Sequence, residues 1–334
     1  NLTGKVSLFF KGVRGLKKDD LYNYLSQSYN ENVIDTIVLI FQLRDCRKGK
    51  GERQLGRDSF LWLYNNHNDI FNKVINLIPE FGRWDDYFYI NNDMKYIISQ
   101  LKTDYNNMLE GKPISLCAKW IPTEKSSLDK KYNVYNLLCK ELSISPKQFR
   151  KTYLSPLRAY LNIVERYICS GRWSEIDFNK VPSQCMKQLK NAFKKHDTIR
   201  YNSWCELLAK KDKSVKVNTG ALFPHEIIKE IRTKKCADEV AVAQYNSIRD
   251  KCVKLKDCIA VIDVSGSMQS PNFLPIDVAV TMGLLISELT EGEFHGQLIT
   301  FSETPKFTVI PDTDLYSRYT TINNMDWGGN TDLQ

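Results

Sequence analysis

The sequence has few of the residues that usually mark a catalytic or zinc site. It contains four histidines and nine cysteines in 334 residues, and no two cysteines have the C-x-x-C spacing of a zinc cluster. Scattered single cysteines favour reduced, buried thiols and therefore an intracellular, cytoplasmic location. No histidine lies beside a cysteine or serine motif, and no G-x-S-x-G nucleophile elbow occurs. We therefore predict that the chain is not an enzyme.

Long apolar runs are also missing. No stretch approaches the ~18 consecutive apolar residues that suggest a membrane span, and the first residues show no signal-peptide pattern. Hydrophobic residues nevertheless make up 42% of the chain, which is enough for a packed core. The length leaves room for two domains of ordinary size.

The net charge of +8 hides a strong asymmetry. Residues 258–334 contain ten Asp and Glu against two Lys and Arg, a net charge of −8. Residues 1–257 contain 45 Lys and Arg against 29 Asp and Glu, a net charge of +16. This difference predicts two domains with different partners, and the basic part is the candidate for binding a polyanion such as RNA. A solvated helical surface would give the same excess of charge.

Residues 1–250 are predicted to be helix after helix. Apolar residues recur at three- and four-residue spacing, and short polar segments join the periodic stretches. We predict helices in the stretches 33–41, 60–64, 93–108, 134–142, 156–169, 181–193 and 200–208, with another beginning at Pro224. A long series of amphipathic helices indicates an irregular HEAT-like helical-repeat domain.

Residues 251–334 have a different pattern. The apolar run 258–262 ends at Asp263 and is typical of a buried parallel strand. A helical pattern follows at 275–289, and further strands are predicted at 297–301 and 306–310. Strand, helix, strand is the beginning of a doubly wound α/β sheet.

A candidate cation site follows the first of these strands. Asp263, Ser265 and Ser267 supply one carboxylate and two hydroxyls at the carboxyl end of the strand, where such sheets bind ligands. Hard oxygen ligands of this kind suit Mg²⁺. Thr331, after the Gly328-Gly329 turn, is a predicted fourth ligand. A chance serine-rich turn is the alternative.

Several segments together resemble the Ro ribonucleoprotein (TROVE) superfamily, which joins a ring of HEAT-like helices to a von Willebrand A domain. The resemblance is closest to an uncharacterised Ro-like branch of plants, fungi, protists and large DNA viruses. It is carried by SLFFKGVRGL at 7–16, LRDCRKGKGER at 43–53, PEFGRWDD at 79–86, AKWIP at 118–122 and DVSGSM at 263–268.

The resemblance implies RNA binding on the helical part and a metal-ion-dependent adhesion site in the α/β part. A von Willebrand A sheet has about six strands and a further Asp ligand after its fourth strand, whereas this chain has about three strands. We therefore expect the remainder of that domain to follow Gln334 or to come from another chain. The family's RNA-contacting residues have no residue-by-residue counterpart here.

Three basic segments are the candidates for RNA contact. Each mixes basic residues with glycines or aromatic residues such as Phe149 and Tyr153, a combination suited to phosphates and stacked bases. A structural connection stabilised by Asp45, Glu52 and Asp58 is the alternative for the first segment, and a solvated helix face is the alternative for the other two. The candidates are Arg44, Arg47, Lys48, Lys50, Arg53 and Arg57; Lys147, Arg150, Lys151 and Arg158; and Lys187, Lys190, Lys194, Lys195 and Arg200.

The sequence thus favours a Ro-like RNA-binding protein with a divalent-cation site. Two alternatives remain open: a module that grips a protein partner's carboxylate through Mg²⁺, and a structural subunit of a viral or ribonucleoprotein assembly. The abundance of Asn, Lys, Tyr and Ile hints at an AT-rich genome, such as that of a giant virus or a protist.

Overall fold

The computed structural model describes residues 2–90, 94–269, 274–301 and 306–325. Helix accounts for 66% of the structure and strand for 5%, and the described strands lie within residues 255–309. The prediction of a mainly helical chain with a small C-terminal sheet is confirmed. Across the described residues, no helix combines the length and apolar character needed to cross a membrane.

Contacts divide the chain into two compact units, Asn1–Ser170 and Gly171–Gln334. The first unit is helical. Its α-helices are α1 Gly4–Lys11, α2 Lys18–Glu31, α3 Val33–Arg44, α4 Arg53–Asn66, α5 Asn68–Val74, α6 Ile78–Phe81, α7 Tyr87–Ile90, α8 Lys95–Leu109, α9 Cys117–Trp120, α10 Ser127–Tyr132, α11 Val134–Leu142, α12 Pro146–Phe149, α13 Ser155–Tyr160 and α14 Val164–Cys169. Short 3₁₀ turns occupy Ile75–Leu77 and Trp84–Asp86, and a π-helical turn occupies Arg150–Leu154.

Local sequence explains where several of these helices begin and end. The Asn32 side chain accepts a hydrogen bond from the Asp35 amide at 2.9 Å and caps α3. The predicted helix over 156–169 is interrupted between α13 and α14, where Asn162 has φ +53°. Asparagine tolerates this left-handed conformation better than most residues, so the chain turns there. The buried core of the unit contains Trp62 and Trp84.

The second unit combines helices with two small groups of strands. Its helices are α15 Ser183–His196, α16 Thr198–Ala209, α17 Pro224–Lys234, α18 Glu239–Arg249, α19 Leu274–Leu289 and α20 Leu315–Asn323, with 3₁₀ turns at Trp173–Glu175, Phe178–Lys180 and Gly266–Gln269. Its strands are β1 Leu255–Lys256, β2 Ala260–Asp263, β3 Thr290–Glu291, β4 Gln297–Phe301 and β5 Lys306–Val309.

Three of the strands form one sheet in the order β2–β4–β5. Strand β2 pairs parallel with β4, so that Asp263 lies opposite Phe301, and β4 pairs antiparallel with β5. Helix α19 connects β2 to β4 and packs on the face that carries Ala260, Ile262 and Leu298. The predicted strands and the helix over 275–289 are therefore present, each within a few residues of its predicted bounds.

Helices α17 and α18 share a hydrophobic core with this sheet. Ile228, Ile231 and Tyr245 belong to the same buried cluster as Ile262 and Leu298. The compact unit begins at Gly171, and the change from helices to strands lies near the predicted boundary at 250/251. The division into domains at that boundary stays a prediction. Composition located that change, but the shared core depends on packing between distant segments.

Candidate metal centre and basic surfaces

The Asp263–Ser267 motif begins at the last residue of strand β2, which is buried on one face only, because Ala260 and Ile262 are buried and Val261 is exposed. Strand β2 delivers Asp263 to the carboxyl end of the sheet, and the chain then turns through a 3₁₀ segment before α19. Ser265 is buried, whereas Gly266 and Ser267 are exposed. The motif therefore reaches from the interior of the unit to its surface, at the sheet edge where ligands bind in such folds.

Hydrogen bonds within the motif bring its oxygen atoms together. The Ser265 amide donates to Asp263 Oδ1 at 2.8 Å, which leaves Oδ2 without a partner in the described part of the chain. Ser265 Oγ and Ser267 Oγ lie 3.0 Å apart. Adjacent ligands of an octahedral Mg²⁺ ion at ~2.0–2.1 Å are about 2.9 Å apart, so the two hydroxyls have the spacing of neighbouring ligands.

The donor set fits a hard divalent cation that keeps some of its water. Asp263 supplies the charge, and Ser265 and Ser267 supply neutral oxygens. The described residues contain no cluster of three or more His, Cys, Asp and Glu side chains that could hold a metal, so any cation at this motif would rely on hydroxyls. The predicted fourth ligand, Thr331, lies outside the described residues.

A second carboxylate near the motif in sequence has another role. Asp277, in the first turn of α19, is buried and accepts two hydrogen bonds from Arg232, from Nε at 2.9 Å and from Nη2 at 3.0 Å. This bidentate pair fastens α17 to α19. Because both Asp277 oxygens are engaged, we assign it to packing and not to the cation site.

Three predicted RNA contacts are buried and need correction. Arg44 is 2% exposed, Arg57 is 6% exposed and Lys190 is 4% exposed. Arg44 and Arg57 both bind Asp86, at 2.9 and 2.7 Å, and Lys190 pairs with carboxylates of α17 and α18's N-cap. Burying these cations is tolerable only because each is paired, and so they cannot reach a phosphate.

The arginine pairs join the two most specific sequence motifs. Arg57 also donates to Asp85 at 2.9 Å, and the exposed Arg53 pairs with the same carboxylate. The segments 43–53 and 79–86 therefore meet in one buried ion network. Sequence reasoning gave the basic segment a phosphate-binding role and missed this network, although the acidic pair Asp85-Asp86 was visible as its complement.

Seven further candidates have partners in the protein but keep some exposure. Five of them donate hydrogen bonds to backbone carbonyls: Arg47, Lys50, Arg158, Lys187 and Arg200. The Lys187 ammonium also lies 4.0 Å from a carboxylate oxygen of Glu226. The other two form ion pairs, Arg53 with Asp85 and Arg150 with Glu124. The two lysine–carbonyl contacts reach Gly12 O and Glu226 O, each at 3.1 Å. These side chains stabilise connections between helices, and a nucleic-acid role for them stays a prediction.

The remaining candidates are exposed lysines. Their side chains have no ion-pair partner among the described residues, and they are Lys48, Lys147 and Lys151 in the first unit and Lys194 and Lys195 in the second. The predicted stacking partner Phe149 is fully buried against Tyr135, and Tyr153 is half-buried. Cations are thus available at these positions, whereas Phe149 is not available to stack on a base.

The chain belongs to a family described as a domain of unknown function, DUF2828, whose model matches residues 3–77 and 89–257. Residues 257–334 match a second domain of unknown function, DUF7788. A relative in Acanthamoeba polyphaga mimivirus, "Uncharacterized protein L728", is 27% identical over 371 positions that cover 98% of this chain. The chain spans 64% of that relative's length. No solved structure matches, and the resemblance to Ro proteins stays a prediction.

Proposed function

We propose that the chain is a divalent-cation-dependent binding protein in which Asp263, Ser265 and Ser267 hold Mg²⁺. The observation that carries this proposal is the 3.0 Å spacing of the two serine hydroxyls beside a carboxylate with a free oxygen. Mg²⁺ bound by so few protein ligands keeps open positions. The bound ion then accepts a carboxylate from a protein partner, which gives the site its function.

The arrangement of the C-terminal strands supports a von Willebrand A-type domain around this site. Strand β2 and helix α19 lead to a parallel neighbour, β4, and both strands lie in one small sheet. The cation motif follows the strand end, as the resemblance implies. We infer that the helices before it form the HEAT-like scaffold of a Ro-like protein.

Calorimetric titration of the full 334-residue chain with Mg²⁺ tests the proposal. We expect Asp263→Ala to abolish measurable binding and Ser267→Ala to weaken it at least about tenfold, which corresponds to ~1.4 kcal/mol. Asp312→Ala and Ser203→Ala are matched controls, because both residues are exposed and distant in sequence from the motif. Equal Mg²⁺ binding by Asp263→Ala and the unaltered chain would overturn the proposal.

A second candidate function is RNA binding, favoured by the +16 charge of residues 1–257 and by the five exposed lysines. Phosphate contacts release counterions, so affinity should fall with salt, and each contact adds about −0.9 to the slope of log K against log salt on duplexes and about −0.7 on single strands. We expect the pairs Lys147→Gln/Lys151→Gln and Lys194→Gln/Lys195→Gln to reduce that slope. Binding that does not change between low and high salt would exclude this function.

A further inference from the structure

A polar pocket of about 360 Å³ lies in the first unit, between the segment after α9 and the helices α11 to α13. Its volume is in the range of pockets that bind small organic ligands, ~300–1,000 Å³. Hydroxyl groups of Thr123 and Ser155 line it, and neither side chain has a hydrogen-bond partner in the described part of the chain. The cation motif belongs to the other unit.

Arg158 is the central cation of this pocket. Its Nε donates to Ala118 O at 2.9 Å and its Nη2 donates to Ile121 O at 2.6 Å, so the guanidinium also caps the end of α9. Nη1 has no partner among the described residues, and no carboxylate pairs with this side chain there. Burial lowers the pKa of the Arg158 guanidinium, because the charge is partly desolvated without a counter-ion.

The other charges leave the pocket positive. Arg150 pairs with Glu124, so these two charges offset each other. Lys125 is exposed, and its ammonium group has no carboxylate partner in the described ranges. Arg158 and Lys125 therefore remain as two uncompensated positive charges around a hydroxyl-lined space, an arrangement that attracts an anion with several oxygens.

The backbone beside the pocket has an unusual local geometry. Residues Arg150–Leu154 form a π-helical turn, and the Ser155 amide donates to Arg150 O instead of to a carbonyl four residues back. Pro156 follows and has no amide hydrogen to continue the α-helical pattern. Arg150 and Ser155, at the start and end of this turn, and Arg158, three residues further on, all line the pocket. π-Helical turns are frequent at functional sites.

We propose that this pocket binds the phosphoryl group of a nucleotide or of a terminally phosphorylated RNA. Arg158 supplies the planar guanidinium that recognises phosphate oxygens, Lys125 adds charge, and Thr123 and Ser155 donate hydroxyl hydrogen bonds. The site is independent of Mg²⁺ binding. It deepens the RNA-binding candidate by naming the chemical group that is recognised.

Titration of the full chain with AMP, adenosine, and a short RNA with either a 5′-phosphate or a 5′-hydroxyl tests this assignment. We expect AMP to bind and adenosine to bind at least about tenfold more weakly. Arg158→Gln should remove at least about tenfold of the AMP affinity, because it deletes the charge-assisted hydrogen bonds from the guanidinium to the phosphoryl oxygens. Lys140→Gln, an exposed lysine away from the pocket, is the charge-matched control.

Loss of the α9 cap makes Arg158→Gln a risk to folding, so Ser155→Ala and Thr123→Val provide a second route. Both remove a pocket hydroxyl with no described structural partner, and each should weaken AMP binding several-fold at an unchanged melting temperature. Failure of AMP and of the phosphorylated RNA to bind would overturn the pocket assignment, as would equal affinity for phosphorylated and hydroxyl ligands.

The RNA arm separates this assignment from the RNA-binding function. If AMP binds in an Arg158-dependent way and no RNA binds, the pocket is a free-nucleotide site and the RNA-binding function is contradicted. If RNA binds equally well with or without a terminal phosphate, and equally well to the Arg158→Gln variant, the RNA-binding function is retained and the pocket assignment is contradicted. Preference for the 5′-phosphorylated strand over AMP supports recognition of an RNA end.

Discussion

The buried ion network of the first unit and the Asp263–Ser267 motif of the second unit differ in whether a ligand can reach their polar atoms. In the first unit, Arg44, Arg57 and Asp86 are buried and satisfy one another. In the second unit, Asp263 Oδ2 has no partner among the described residues, and the exposed Ser267 hydroxyl contacts only the Ser265 hydroxyl. Both motifs are distinctive in sequence, and each has a carboxylate oxygen without a described partner. In the first motif that oxygen, Asp85 Oδ1, is buried, whereas in the second it belongs to the partly exposed Asp263. The comparison teaches that a free polar atom indicates a binding site only where a ligand can reach it.

The largest expected effect comes from breaking the buried network. Asp86→Ala should lower the free energy of unfolding by about 3–5 kcal/mol, because it leaves both arginines buried without their shared partner. Urea denaturation followed by tryptophan fluorescence measures this, with the exposed Glu141→Ala as control. If both variants unfold at the same urea concentration, Asp86 does not stabilise the unit and the comparison fails.

We expect a smaller loss of unfolding free energy when a side chain is added at Gly56, beside the Arg44 of the same network. A Cβ atom at Gly56 would lie 2.6 Å from Arg44 Cβ and Cδ. Alanine gains ~1 kcal/mol of helix propensity, but displacing a buried, paired arginine costs more, so we expect a net loss of about 1–2 kcal/mol. Gly220→Ala is the control, since nothing lies within 4 Å of its added Cβ. Stabilisation by Gly56→Ala would show that Arg44 moves freely.

The second unit has a paired cluster of its own, which should respond to pH. Burial raises the pKa of the Glu230 carboxyl, but hydrogen bonds from Lys190 and Lys234 outweigh it and lower the pKa below 4.5. Burial likewise raises the pKa of Asp238, and hydrogen bonds from Lys190 and the Ala241 amide bring it below 3.8.

Because both folded-state pKa values are depressed, this stabilisation is present above about pH 4.5 and is lost as the pH falls through the lowered values. Lys190→Met should therefore flatten the fall in stability between neutral pH and acid, as measured by denaturation across a pH series. Lys229→Met, at an exposed position of α17, should leave the slope unchanged. If the free energy of unfolding falls as steeply with decreasing pH in Lys190→Met as in the unaltered chain, this account is contradicted.

The smallest effect on stability should come from the cation motif. Ser267 is exposed, so Ser267→Ala should change the free energy of unfolding by no more than about 0.5 kcal/mol, even though it weakens Mg²⁺ binding. Thermal unfolding with and without Mg²⁺ measures both effects. If Ser267→Ala lowers the free energy of unfolding as much as Asp86→Ala does, the cation motif has a structural role, and the difference between the two motifs does not hold.

Regular elements and the contiguous cation motif could be predicted because their signals are local. The apolar period located β2, β4, β5 and α19 within a few residues. The break at Asn162 was missed, because the helical pattern continues across it while one residue adopts a left-handed conformation.

The role of the basic residues could not be predicted because it depends on tertiary contacts. Arg44 and Lys48 are four residues apart, yet one is buried against Asp86 and the other is exposed. Residue type and spacing do not distinguish them. The distinction comes from Gly56 and Gly82, which leave room for the Arg44 side chain beside their backbones.

The bridge from Arg44 to Asp86 also bears on the order of folding. It joins residues 42 positions apart, and closing a loop of that length costs roughly 4 kcal/mol in chain entropy. A single charged hydrogen bond contributes only ~1.5–3 kcal/mol, so the bridge cannot form on its own in an open chain. It forms once α3, α4 and the turn at Trp84–Asp86 already hold its ends together. The network therefore marks the point at which α3, α4 and this turn have packed together.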